Sequence, residues 1–157
     1  LMPASARPRH SSAPRPKTPV IYDNNHTFPI GGLTVVRRSA TDKATVTGAG
    51  VTLFEALKAH DELKTGGVNI RVIDLYSVQP IDAESLINAA RETGRLITVE
   101  DHYLSGGVGD AVARAVAPAG FAVTRLAVRE IPRCGKPDEL LDKYGISARH
   151  IVAAVRG

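Results

Sequence analysis

The 157-residue sequence has no tryptophan, a single cysteine and no long apolar run. With Cys134 alone, no internal disulfide framework can form, and a reducing, cytoplasmic setting is expected. No stretch approaches the ~18 apolar residues of a membrane span, so a soluble domain without membrane contact is expected. The opening LMPASARPRH is basic, yet no apolar h-region follows it, which speaks against a secretory signal. Surplus positive charge is scarce outside that opening. The net charge is +4 and the isoelectric point about 9.5, but Arg7, Arg9, Arg15 and Lys17 stand in a stretch, residues 1–19, without one acidic residue. The rest of the chain balances its 16 acidic side chains with as many basic ones. Nucleic-acid binding needs clustered positive charge, and the body has none to spare, so no nucleic-acid partner is expected.

An apolar content of 43% with 23% charged residues is that of a globular chain of one domain's length. Half of the ten prolines fall in the first 19 residues, among Ser, Ala and Arg. Such a segment buries too little to order itself, so residues 1–14 are expected to be a disordered or partner-clamped tail. Residues 15–32, ending in the turn-rich DNNHTFPIGG, read as a linker, and 33–157 as the folded domain.

From residue 33 the pattern becomes regular. LTVVRRS (33–39) and ATVTGAG (44–50) predict strands. VTLFEALKAHDELKTGG (51–67) sets Leu53, Ala56, Leu57, His60 and Leu63 at helical spacing and ends on Gly66 and Gly67. NIRVIDLYS (69–77) predicts a strand, and Asp82 can cap a helix stopped by Gly94. RLITVED (95–101) is a further strand, 107–117 a helix and FAVTRLAV (121–128) the last strand. Pro137 suits the first position of a helix over 137–145, and Ser147 the N-cap of one over 147–156. Strands alternating with helices through short links predict a three-layer α/β/α fold on a mostly parallel five-stranded sheet. LTVVRRS can serve as an antiparallel edge.

Chemistry would gather around VEDHYLSGGVGDAV (99–112). Glycines between a strand and a helix can offer backbone amides to an anion, which makes Ser105, Gly106, Gly107, Val108 and Gly109 a candidate anion loop. Gly106, Gly107 and Gly109 do not fit the dinucleotide spacing, and no acidic residue follows in FAVTRLAV. Glu100, Asp101 and His102 could act as acid or base beside Ser105 or Ser77, although no nucleophile elbow surrounds either serine. Helix capping or an interface is the plainer reading of the same residues. His26, His60 and His150 lack a second ligand at metal spacing, so no metal site is expected. Cys134 has no nearby His and reads as an ordinary thiol.

In order and spacing, RPKTPVIYDNN, VTGAGVTLFEAL, NIRVIDLYSVQPID, RLITVEDHYLSGGVGDAV, LAVREIPRCGKPDELLDKYGI and IVAAVRG resemble the C-terminal domain of the transketolases, from about Arg15 to Gly157. The β subunits of 2-oxoacid dehydrogenases share this domain more loosely. The resemblance implies transfer of a two-carbon ketol unit between sugar phosphates, in the pentose phosphate pathway, by a complete dimeric enzyme holding thiamine diphosphate and Mg2+. It also implies that two other domains, which bind the diphosphate and the pyrimidine ring, carry that cofactor. The family's G-D-G motif with a later Asn is not in this sequence, where Gly109-Asp110 is followed by Ala111. The chain therefore reads as a fragment or subunit that binds no cofactor alone, catalyses no ketol transfer alone, serves assembly, and is expected to form a homodimer with the missing domains as partners. Arg15 holds the place of the family arginine that contacts the substrate phosphate, and residues 15–32 that of the linker from the pyrimidine domain. Ahead of Arg15 the sequence departs from the family pattern and reads as a truncated or non-native junction. A stand-alone phosphate- or nucleotide-binding module on the 105–109 loop, or a small hydrolase on His102, are the alternatives.

Overall fold

Three runs, TVTG, RVID and LITVE, are buried residue after residue rather than alternately. Continuous burial belongs to strands covered on both faces, the situation of a parallel sheet between helices. The structure, a computed structural model, describes residues 18–157, so the basic tail and Arg15 lie outside the described residues.

The elements in chain order are β1 (Thr34–Arg37), β2 (Thr45–Gly48), α1 (Val51–Thr65), β3 (Arg71–Asp74), α2 (Ala83–Thr93), β4 (Leu96–Tyr103), α3 (Val108–Val116), β5 (Val123–Val128), α4 (Pro137–Lys143) and α5 (Ala148–Arg156). The sheet order is β1-β3-β2-β4-β5. All neighbours are parallel except β1, which runs antiparallel to β3 at the edge with Thr34 opposite Asp74. Leu53, Ala56 and Leu63 of α1 pack with Ile151, Val152 and Val155 of α5 in one cluster. Leu86 and Ala90 of α2 pack with Val112 and Val116 of α3 in the other. The expected three layers and antiparallel edge are present.

Two of the boundaries that differ from the sequence reading bear on the site. The expected strand over 69–77 shortens to β3, because Tyr76 and Ser77 turn away to hold the segment before β1. Ser77 accepts from the Gly31 amide at 2.9 Å and donates to the Pro80 carbonyl at 2.9 Å. β4 instead runs two residues beyond Asp101, since its pairing with β5 resumes at Tyr103 opposite Val128 after an irregularity. Beyond the expected Glu100 and Asp101, His102 and Tyr103 are thus strand residues too.

The segment leading into β1 lies along the carboxyl edge of the sheet. The Tyr22 hydroxyl donates to Asp74 Oδ2 at 2.7 Å, and its ring stacks on His26 with centroids 4.4 Å apart. Phe28 meets Tyr22, His26 and Tyr76 edge-on. Burial raises the Asp74 carboxyl above its ordinary range, against the pull of the Tyr22 hydrogen bond. No helix among the described residues is long and apolar enough to cross a membrane.

Candidate functional site: the switch-point crevice

From β2 the chain crosses through α1 to β3 on one side, then through α2 to β4 on the other. The topological switch point therefore lies between the carboxyl ends of β2 and β4, where open α/β sheets place ligands. A crevice of about 220 Å3 opens there, lined by Ala49, Val78, Glu100, Asp101, His102 and Gly106 to Val108.

Glu100 is buried, and its side chain points under the start of α3. Oε2 accepts from the Val108 amide at 2.6 Å and Oε1 from the Gly109 amide at 2.9 Å. The first turn of a helix has amides without intrahelical partners and a positive dipole end, so a carboxylate there is well placed. The glycines make the room. A Cβ on Gly107 would stand 1.9 Å from Glu100 Oε2, and one on Gly109 would stand 2.8 Å from Oε1. Burial raises the Glu100 carboxyl above its ordinary range, opposed by the Gly109 and Val108 amides and by His102.

The candidate anion loop Ser105–Gly109 is therefore formed as a loop, with its helix-start amides already held by this chain. The Gly106 amide donates to Asp110 Oδ2 at 2.6 Å, and Asp110 Oδ1 also pairs with Arg125. That amide first, and Arg125 next, lower the Asp110 carboxyl. His102 is exposed, and its Nδ1 lies 3.0 Å from the Tyr103 carbonyl. Neither Ser105 nor Ser77 shares a hydrogen bond with it, and Ser77 is fixed in the Gly31–Pro80 turn. Nucleophile and base are not brought together. His60 is buried on α1 and pairs with Asp61 at 2.8 Å, and Cys134 is exposed.

Two clusters were not singled out from the sequence. Ser147 Oγ donates to Asp142 Oδ1 at 2.9 Å and lies 2.9 Å from His150 Nδ1. The residue types match a hydrolase triad, but the serine stands in the middle with its proton on the carboxylate, so the histidine cannot take it as base. The Ser147 hydrogen bond first, and Arg149 after it, lower the Asp142 carboxyl. This is a junction between α4 and α5. At the amino edge of the sheet a wider cleft of about 580 Å3 is lined by Arg38, Ser39, Asp42, Arg71, Glu92 and Thr93. Arg71 is buried and donates from Nη2 to Glu92 Oε2 at 2.6 Å, an oxygen shared with Arg38 at 3.1 Å. Asp42 Oδ2 stands 3.6 Å from Arg71 Nε. These ion pairs tie β3 to α2 and to the turn before β2, while the buried Arg71 Nε is left without a hydrogen-bond partner among the described residues. Charges far apart in sequence give no spacing signal, so only the fold brings them together.

A diphosphate held through a metal finds no fit among the described residues. They hold no group of three or more metal-ligating side chains, and the amides at the start of α3 already carry Glu100.

A family model described as the transketolase C-terminal domain matches residues 32–151. Transketolase-like protein 2 of Mus musculus is 56% identical over 144 residues, which cover 90% of this chain and 23% of that protein. Transketolase of Homo sapiens is 50% identical over 145 residues, covering 91% of this chain and 23% of that protein. The chain thus spans about a quarter of the length of the curated relatives it matches. Among solved structures, a split-gene transketolase described as an inactive β4 tetramer superposes with a TM-score of 0.81 at 34% identity, over 88% of this chain and 45% of that one. Transketolase of Campylobacter jejuni, at 16% identity and a TM-score of 0.63, shares the fold over 87% of this chain and 20% of that one.

Proposed function

The chain belongs to the transketolase family, as its C-terminal domain, and from that premise we propose that it serves a transketolase through assembly rather than through chemistry of its own. The observation that carries this reading is the Glu100 carboxylate at the switch point. The place where an α/β sheet presents amides to a ligand is filled from within. What the domain offers is surface. A complete enzyme also needs the domains that hold thiamine diphosphate and Mg2+, the cofactors its relatives imply, and these domains are its proposed partners. The split-gene relative, described as an inactive β4 tetramer, supports the proposal, since that protein is described both as self-assembled and as inactive. Within the assembled enzyme, Arg15 is the proposed contact for the substrate phosphate, as a guanidinium receives phosphate bidentately.

The test is complementation. The chain alone, given thiamine diphosphate, Mg2+, xylulose 5-phosphate and ribose 5-phosphate, is expected to transfer no ketol unit. With separately expressed diphosphate- and pyrimidine-binding domains of a transketolase, a stable complex and ketol transfer are expected, with Arg15→Ala raising the KM for phosphorylated sugars. Turnover by the chain alone would overturn the reading, as would the absence of both complex and turnover in the mixture.

A further inference from the structure

The charged cleft at the amino edge holds one group that its ion pairs leave unused. The Arg71 and Asp42 side chains, 6% and 2% exposed, form its floor, and those of Arg38 and Glu92, 61% and 47% exposed, form its rim. Arg71 Nε is buried and has no hydrogen-bond partner among the described residues, since Asp42 Oδ2 at 3.6 Å is too far to accept its proton. A charged donor left unpaired inside a protein is costly, so this N–H calls for an acceptor from the cleft. The groups around it have capacity to spare. Asp42 takes one bond on each oxygen, from the Ser39 hydroxyl at 2.7 Å and the Ser39 amide at 3.0 Å. Glu92 takes Arg71 and Arg38 on Oε2 alone, and Arg38 donates from Nη2 alone. A carboxylate accepts at both oxygens and a guanidinium donates from every nitrogen, so acceptors and donors both remain available.

Charge decides what kind of molecule fits. The two guanidiniums and two carboxylates of the cleft balance to zero. Glu92 and Thr93 are also the last residues of α2, at the negative end of its dipole. An added anion would meet Asp42, Glu92 and that helix end, and an added cation would meet Arg38 and Arg71. A neutral ligand faces no net charge. Hydroxyl is the neutral group that serves both needs, since its oxygen accepts from a guanidinium while its proton goes to a carboxylate. Hydroxyls on adjacent carbons can do so side by side. The cleft's volume of about 580 Å3 falls within the ~300–1,000 Å3 of small-ligand sites. Ala40 is the one apolar residue in its lining and no aromatic ring is present there, which suits a polar ligand held with modest affinity.

We propose that the amino-edge cleft binds a neutral polyhydroxy compound, a free sugar or sugar alcohol, with one hydroxyl accepting from Arg71 Nε and its neighbour held between Arg38 and Glu92. The first hydroxyl gives its proton to Asp42, and the second gives its own to the free oxygen of Glu92. Arg38 and Glu92 form an exposed ion pair, which is weak enough to part and admit the ligand. The site goes beyond the assembly reading and does not rest on it. Its residues come from the turn between β1 and β2, from β3 and from α2, all within this chain.

Titration of the full 157-residue chain with D-ribose and with sorbitol, followed by NMR, tests it. The Nε–H proton of Arg71 is buried and therefore slow to exchange, which gives a probe at the proposed contact. With at least one of the two compounds, that proton and the backbone amides of Ser39 and Thr93 are expected to shift together and to saturate, with a Kd of about 1–10 mM. Inorganic phosphate at the same ionic strength is expected to leave them in place. Arg38→Ala and Glu92→Gln, both at the exposed rim, are expected to weaken binding at least about fivefold while the amide spectrum away from the cleft stays that of the wild type. Shifts that rise without saturating for both compounds, an Arg71 proton indifferent to both, or tighter binding of phosphate each overturn the site. So do rim variants that bind as the wild type does. A chain that binds neither compound yet yields ketol transfer in the complementation mixture removes this site and leaves the assembly reading standing.

Discussion

Glu100 accounts for the glycine cluster that follows it. A strand residue whose carboxylate must reach two amides of the next helix leaves no space for a Cβ at residue 107 and little at residue 109. The cost of disturbing it follows from what is left unpaired. Glu100→Ala strands the Val108 and Gly109 amides, and a buried donor without a partner costs about 1–3 kcal/mol. Gly107→Ala evicts the same carboxylate and is expected to cost about 2 kcal/mol. Because both changes break one arrangement, the double variant should lose clearly less than the sum, which a urea-denaturation cycle would measure. Additive losses would count against the plug. Glu100→Gln keeps the shape and tests the charge. The folded state holds the Glu100 proton more tightly than the unfolded chain, since burial raises its pKa. The stability this lends is therefore present below the ordinary glutamate value and fades as pH rises through the raised value. Wild type should gain on Glu100→Gln as the pH falls through that window. The sequence allowed the negative half of this to be read, since the glycines fail the dinucleotide spacing. Glu100 stands eight and nine residues from its partners, and although the pattern LITVED places it on a strand, nothing in that pattern says that its carboxylate turns to the start of the next helix.

At the scale of elements, three helices start on acidic side chains, and only one of these is local. Asp82 accepts from the Ser85 amide at 3.0 Å, the cap its sequence position announced. For α5 the sequence points to Ser147, and Ser147 does occupy the N-cap position, but its hydroxyl is turned to Asp142 and makes no capping bond. The cap comes from Glu55 of α1, buried, whose Oε2 accepts from the Ala148 amide at 2.8 Å while Oε1 takes Lys58 Nζ at 2.6 Å. Glu55 lies in a helix whose pattern reads correctly from its apolar residues, and nothing in a one-dimensional pattern says that a glutamate beside Ala56 faces inward. The consequence is an inverted expectation for mutagenesis. Glu55→Ala should cost about 2 kcal/mol, for the lost cap and the buried amide left behind. Ser147→Ala should cost less than half of that, because it releases Asp142 to Arg149 near the surface. Equal losses in chemical denaturation would mean that Ser147 is the cap after all. Element types and their order were legible because burial imposes periods of two and 3.6 on the sequence. The caps that cross between elements were not, since they obey distance in the fold.

For the whole molecule, the same partition separates holding together from coming together. The amino edge carries the interlocked charges of Arg38, Asp42, Arg71 and Glu92, with the Arg71 and Asp42 side chains both sealed beneath Arg38 and Glu92. The Arg71 guanidinium first lowers the Glu92 carboxyl, by hydrogen bond and by charge. A buried guanidinium removed from such a set leaves Asp42 without its cation, and breaking a buried pair from one side costs about 3–5 kcal/mol. Arg71→Gln should therefore lower the stability of the domain by about 3 kcal/mol, less if water reaches Asp42 through the 580 Å3 cleft. It should leave the dimerisation constant of the folded protein unchanged. A loss of association on Arg71→Gln at full folding would mean that the amino edge is itself an interface, and that the charges there serve assembly as well as the fold.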